Sequence, residues 1–363
     1  MKPSLIKFLA TLVAAALPIL GAGGAGLAAA VEPLHEKSEV ALDPAGWTAL
    51  EVGNARGAIE VRGSPDGRFH LIALKTVRGC NRRRAVEVAR QVEVSTDQRE
   101  GRFVVTVHYP QRAEIRVGFW DVLASGEFPR VEVRLQIAAP ERLPIRLRSG
   151  SGDLLTEGRS GTQELETSSG DIQVHGASGQ LEATSTSGDL SLTEIGGARL
   201  RTTSGDVSVS GARGPLSLRS VSGELSIQAA ADSLSLETVS GDIRVDAAPH
   251  GLEVETVSGQ VEARDVAGVA RLHGSSGDIV LDLAAPLRRV RVDSVSGDVR
   301  LHLPAGLGCD LDLRSSSGAL EAGMPMTLRS VNRHAIVGGV AGGGVPIVVR
   351  TASGDIDVAD GES

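Results

Sequence analysis

A Ser-Gly pair returns along this chain at an almost constant interval, and that recurrence limits the possible folds more than any other feature. The glycines of the pair are Gly152, Gly170, Gly188, Gly205, Gly223, Gly241, Gly259, Gly277, Gly297, Gly318 and Gly354. Successive steps are 18, 18, 17, 18, 18, 18, 18, 20, 21 and 36 residues, the last read as two periods with one degenerate turn. A fixed period of this length marks a solenoid, in which each repeat stacks only on its neighbours.

The columns around the glycine define the coil. Apolar pairs stand seven and five residues before it, as in Leu216/Leu218, Leu234/Leu236 and Leu252/Val254. A second set stands two and four residues after it, as in Ile172/Val174, Leu190/Leu192 and Ile243/Val245. Spacing by two is strand spacing, with one side chain in and the next out. Each coil therefore carries two short strands, joined by the Ser-Gly-Asp corner on one side and a looser corner on the other. The parity of the first strand places the Ser or Thr three residues before glycine, and the Ser just before it, inside the corner. There their hydroxyls can bond along the stack. Glycine supplies the backbone freedom and lets coils approach closely. The following Asp faces out, able to accept a hydrogen bond from a turn N–H.

One coil cannot stand alone. Its four buried aliphatic side chains contribute about 6–12 kcal/mol, against roughly 18–36 kcal/mol for ordering its backbone. Neighbouring coils must supply the difference and the ends must be capped. Only 2% of residues are aromatic, so the core is filled by Leu, Ile, Val and Ala.

The rest of the chain is organised around this array. Residues 1–30 read as an export signal: Lys2 and Lys7 precede the apolar run FLATLVAAALPIL, and Ala28 and Ala30 suit cleavage after Ala30. No later run is long enough to span a membrane as a helix. Residues 31–148 form an N-terminal β-rich cap region. AIEVRG, FHLIALKTV, RFVVTVHY and VEVRLQIAAP alternate as strands, and the start of NRRRAVEVARQVEV reads as a short helix. Residues 149–363 are the solenoid. The fold class is thus all-β, a β-helix or β-solenoid of ~18-residue coils. Cys80 and Cys309 are expected unpaired, because Cys309 lies about eight coils, or ~40 Å, into the stack.

The array, the head segment ALEVGNARGAIEVRG, the middle segment VEVRLQIAAPERLPIRLRSGSGDL and the ending VGGVAGGGVPIVVRTASGDIDV are familiar together. The chain resembles the DUF4097 family of adhesin-like bacterial β-solenoid proteins and, more distantly, the head-GIN adhesins. The resemblance covers most of residues 47–360 and implies a cell-envelope β-helix. It supplies no catalytic residues to carry over.

Chemistry-bearing features are few. The Asp column after the glycines offers a cation ladder, with Asp171, Asp189, Asp206 and Asp242 as its candidates. Stacked carboxylates repel, and Ca²⁺ favours clustered oxygens. The competing reading is that they cap turns. Gln260 and Ala319 interrupt the column, and the Ca²⁺-binding nonapeptide pattern is absent. Tyr109, Phe119, Trp120 and Phe128 form the one aromatic segment that reads as exposed, either a plug for the open end of the core or a partner-binding hot spot. The eight histidines fit no metal spacing, and the glycine-rich segment near residue 340 lacks the Lys of a phosphate loop, so it reads as a cap or turn. Net charge is −8 with no basic stripe, which argues against nucleic acid.

The sequence therefore points to an exported, non-enzymatic interaction or scaffold module, periplasmic or at the cell surface. No cofactor is expected, and its partner is an envelope protein or glycan. Two alternatives stay open: a polysaccharide-active β-helix enzyme, and a sensing or regulatory envelope protein.

Overall fold

The computed structural model describes residues 33–79, 82–110 and 130–361. Among these residues it has 29 strands and one helix. The chain divides into two compact units, Met1–Gly170 and Asp171–Ser363. The export segment, Cys80, Phe119, Trp120 and Phe128 lie outside the described residues.

The second unit is a stack of parallel two-stranded coils. One sheet stacks β11 (Ile172–Ala177), β13 (Leu190–Ile195), β15 (Val207–Ala212), β17 (Leu225–Ala230) and β19 (Ile243–Ala248). The other stacks β12 (Leu181–Ser187), β14 (Ala198–Ser204), β16 (Leu216–Ser222), β18 (Leu234–Ser240) and β20 (Leu252–Ser258). The period is realised residue by residue. Ile172, Leu190, Val207, Leu225 and Ile243 pair in one unbroken column, as do Leu181, Ala198, Leu216, Leu234 and Leu252. All ten are buried. In β21 (Val261–Ser276) and β22 (Ile279–Ser296) the looser corner straightens and two strands run into one, with register shifts marking the former turn.

The Ser-Gly-Asp corner is as tight as stacking demands. A Cβ on Gly205, Gly223, Gly241, Gly259, Gly277 or Gly297 would meet the carbonyl oxygen of the glycine in the adjacent coil at 2.0–2.3 Å. The hydroxyls three residues earlier, Thr202, Ser220, Thr238, Thr256 and Ser294, are buried as expected. They donate within their own coil, to the carbonyl two residues on, and not along the stack. The Ser just before glycine departs from the inward parity. Ser204, Ser240 and Ser276, each the last residue of its strand before the corner, are exposed. These outer hydroxyls make the coil-to-coil bonds, from Ser204 to Thr186 O at 3.3 Å and from Ser276 to Val257 O at 3.2 Å.

The C-terminal coils are out of sequence order. The coil of β28 (Val345–Ser353) and β29 (Ile356–Asp360) lies between two others. On one side are the end of β22 and β23 (Val299–Leu303); on the other are β24 (Cys309–Ser317) and β25 (Leu320–Ala322). The 36-residue step is therefore not two successive periods. It contains β26 (Met326–Asn332) and β27 (Ala335–Val340), an antiparallel hairpin that covers the free edge of β24. The glycine-rich segment 338–344 ends this cap and turns into β28, in accord with its reading as a cap or turn.

The first unit uses the same device. The coil of β2 (Ala49–Asn54) and β3 (Ile59–Gly63) lies between two later coils. One is β6 (Arg102–His108) with β7 (Arg130–Ala139); the other is β8 (Ile145–Ser149) with β9 (Leu154–Arg159). β1 (Leu34–Leu42), β4 (Phe69–Arg78) and β5 (Glu93–Arg99) add antiparallel edges, and β10 (Gln163–Thr167) stacks in parallel on β8. The one described helix, α1 (Arg82–Gln91), buries Ala85, Val88 and Ala89. Its C-terminal end is held by Lys75, whose Nζ donates to Val92 O at 2.6 Å and Ala89 O at 3.4 Å. A cation at carbonyls left unpaired by the helix end is favourable. Trp47 stacks on Phe103 at 4.0 Å, and Phe69 meets both rings edge-on at 5.1 Å.

Candidate functional site

The Asp column is a ladder of charge-assisted hydrogen bonds between coils. Asp171 Oδ1 accepts the N–H of Asp189 at 2.9 Å, Asp189 that of Asp206 at 2.9 Å, and Asp206 that of Glu224 at 2.8 Å. Asp242 accepts from Gln260 at 2.9 Å. Beyond it the ladder runs from Asp278 to Asp298 N, from Asp298 to Asp355 N and from Asp355 to Ala319 N. It thus follows the spatial order of the coils and not their order in the chain. Among the described residues, Glu224 and Gln260, each one methylene longer, accept no amide from the coil above them.

The geometry explains why the residue is Asp. Its short side chain reaches one coil spacing and no further, and it fixes the register of the next corner. Asp171, Asp189, Asp206 and Asp242 each place one carboxylate oxygen on a backbone amide. Among the described residues no group of three or more His, Cys, Asp or Glu side chains is placed to hold a metal ion.

Tyr109 is no free aromatic. Its hydroxyl donates to Asn54 Oδ1 at 2.8 Å and contacts the carbonyl of Arg56, and the Arg56 guanidinium lies 5.4 Å from the ring centre. Asn54 in turn donates to Gly57 O at 2.9 Å and Val133 O at 2.6 Å. Burial pushes the Tyr109 phenol well above its ordinary value. Tyr109 therefore ties a corner of the first unit together. The aromatic cluster that the described residues do form is Trp47, Phe69 and Phe103, which the sequence showed as scattered single residues.

Two features escaped the sequence reading. Arg159 is 1% exposed and donates to Ala139 O at 2.8 Å and Leu143 O at 2.6 Å, closing the turn between β7 and β8. It stands where later coils carry Ala177, Ile195 or Ala212, so its departure from the apolar column was the available signal. The second is the residue two before glycine, which is outward and apolar in several coils. Val221, Val239, Val257 and Val295 are 48–52% exposed.

Cys309 is a buried free thiol. Burial, with Asp310 and Asp360 nearby, pushes it up to about 11.

Stacked, in-register, two-stranded coils with hydrogen-bonded corners define a parallel β-solenoid. The chain belongs to the DUF4097 family, described as Toastrack, whose sequence pattern matches residues 75–263 and 246–359. No curated protein matches the chain.

Among solved structures, a "putative cell adhesion protein" from Clostridium sporogenes is 9% identical, with a TM-score of 0.21 over 91% of this chain and 100% of that one. A "putative lipid binding protein" from Parabacteroides distasonis is 12% identical, with a TM-score of 0.33 over 89% and 96%. A "putative adhesin" from Bacteroides fragilis is 10% identical, with a TM-score of 0.24 over 92% and 100%.

Proposed function

We propose that this protein is an exported, non-enzymatic interaction module of the bacterial cell envelope, working in the periplasm or at the cell surface. The observation that carries the reading is the use made of the acidic column. The carboxylates that a sugar-cleaving centre or cation site would draw on are committed, corner after corner, to backbone amides of the next coil. A general acid or nucleophile must instead be free to exchange protons or attack. What the coils offer outward is a set of regular strand faces, suited to an extended partner such as a glycan chain or another envelope protein. No helix among the described residues is long and apolar enough to cross a membrane.

The test uses purified residues 31–363 with a panel of envelope polysaccharides, scoring retention and chain shortening together. The expected result is intact chains, with retention marking a glycan partner and its absence marking a protein one. Shortened chains overturn the non-enzymatic reading and favour the polysaccharide-active alternative.

A further inference from the structure

The outward face of the β12, β14, β16, β18, β20 sheet carries an antisymmetric pattern of charge. The first two outward residues of each strand, continued by the second half of β21, are aligned by the ladder registers in two columns, and the third outward place is the valine position beside the corner. The first column reads Glu182, Arg199, Ser217, Ser235, Glu253, Arg271. The second reads Thr184, Arg201, Arg219, Glu237, Glu255, His273. With His neutral, the signs are −, +, 0, 0, −, + and 0, +, +, −, −, 0. Over these six coils, reversing either column inverts every charge in it; both columns then continue into β22 with Arg291 and Asp293.

Local pairing within one chain does not explain this order. Cross-strand neighbours in a sheet favour opposite charges, and like charges directly opposite are destabilising. A face selected only for internal ion pairs would alternate from coil to coil. Here Arg201 lies directly beside Arg219, and Glu237 beside Glu255. The internal pairs that do form are Arg201 with Glu182 at 2.8 Å and Arg219 with Glu237 at 2.6 Å. Arg199, Glu253, Glu255 and Arg271 are exposed. Among the described residues they have no ion-pair partner.

We infer that this face is the contact between two copies of the chain, related by a two-fold axis that runs parallel to the strands between β16 and β18. Such an axis reverses the stacking direction and keeps each column on itself. It sets Glu182 against Arg271, Arg199 against Glu253, Arg201 against Glu255, and Arg219 against Glu237. The pairs Ser217/Ser235 and Thr184/His273 fill the neutral places. The four charges unpaired within one chain all find opposite partners. Along the corner, Val221 meets Val239, giving two of the exposed valines an apolar neighbour. The other in-plane two-fold, along the stack, would lay each coil on its own copy and set like against like.

The size is adequate. A seven-residue strand such as β14 spans ~23 Å, and six coils span ~29 Å. The face is thus roughly 650 Å² per copy, and about 1,300 Å² in total falls within the range of specific interfaces. An isologous contact of this kind closes on itself and stops at the dimer.

The test is sedimentation over a concentration series in about 0.05 M and about 0.5 M salt. Four proteins are compared: wild type, R199E/R201E, E253R/E255R, and the fourfold variant combining both pairs. A thermal melt of each confirms folding.

The wild type is expected to form a dimer whose dissociation constant rises at least about tenfold in the higher salt. Either double reversal alone weakens it roughly a hundredfold or more. An equimolar mixture of the two reversals forms a heterodimer, and the fourfold variant dimerises with itself. A wild type that stays monomeric to about 100 µM at low salt, where an interface of this class is populated, overturns the inference. So does a dimer indifferent to both reversals, or a mixture that fails to restore association. The inference stands apart from the envelope-binding reading: a monomer that retains glycan refutes the dimer alone.

Discussion

Gly241→Ala tests the stacked corner at the point where two glycine properties separate. Gly241 has φ of 130°. A Cβ there would lie 2.1 Å from Gly223 O and 2.9 Å from Gly223 C. Gly211, six residues after Gly205, also has positive φ, at 72°, but a Cβ there meets nothing closer than 3.7 Å. Two later coils already carry alanine at the place of Gly211: Ala229 has φ of 55° and Ala247 of 67°. The fold therefore accepts left-handed alanine at that site, at about 1 kcal/mol of backbone strain.

At Gly241 the φ of 130° lies beyond the left-handed region that Ala229 and Ala247 occupy, so the backbone strain is at least as large, and the overlap of over 1 Å with a backbone oxygen must also be relieved. Prising the Gly241 coil from the Gly223 coil strains the bonds of that interface, Leu225 N to Asp242 O at 2.9 Å and the adjoining ladder bonds of β16 with β18 and β17 with β19. Losing two or three such bonds at ~1 kcal/mol each brings the total to about 3–4 kcal/mol. Urea unfolding of the two single variants measures the contrast, read as a shift in midpoint at constant slope. Gly241→Ala is expected to cost about 2–3 kcal/mol more than Gly211→Ala. Equal costs within about 0.5 kcal/mol would show that the close coil contact adds nothing and does not select glycine there.

Asp206→Asn keeps an acceptor for Glu224 N while Asp206→Ala removes it, so the alanine variant should lose about 1 kcal/mol and the asparagine variant close to none; thermal melts that rank the two equally would refute the ladder's role. Cys309 gives a pH signature. Its folded value is raised from 9.0 to about 11, so the folded state holds the proton more tightly. The stabilisation is complete below pH 9 and is lost as pH rises through about 11. In a Cys80→Ser background, the advantage over Cys309→Ala should fall by about 2–3 kcal/mol across that window, and parallel stability curves would refute it.

The period was legible because every coil repeats the same inward columns, and in-register stacking forbids drift. Glycine at the corner was legible for the reason its contacts now show. The parity of the Ser before it was not, because alternation predicts a side reliably only within a strand, and this Ser is the strand's last residue before the corner. The carboxylate column was visible as a column, and turn capping was one of its two readings. Its acceptor role between coils needed the stack, since Asp189 and Asp206 meet only through coil spacing. Tyr109 was visible as an aromatic, but its partner Asn54 lies 55 residues away in sequence.

The deeper gap concerns neighbours. A repeat specifies what a coil is, and not which coil lies against it. In the second unit the last coil, Val345–Asp360, has the same inward residues as any other, so its sequence gives no sign that it sits between two earlier ones. The physical reason lies in the edges. A terminal coil at the end of a stack is held on one side and frays from its free end. Placed one position inward, it is hydrogen-bonded along both edges, and opening it breaks two ladders. The exposed end then falls to a segment continuous with the chain on both sides, β24 to β27. In the first unit the coil Ala49–Gly63 is enclosed in the same way by β6/β7 and β8/β9. In the second unit the place where a solenoid is most easily opened is thus taken by a closed segment, and in the first unit the outer edges are taken by the antiparallel strands β1, β4 and β5.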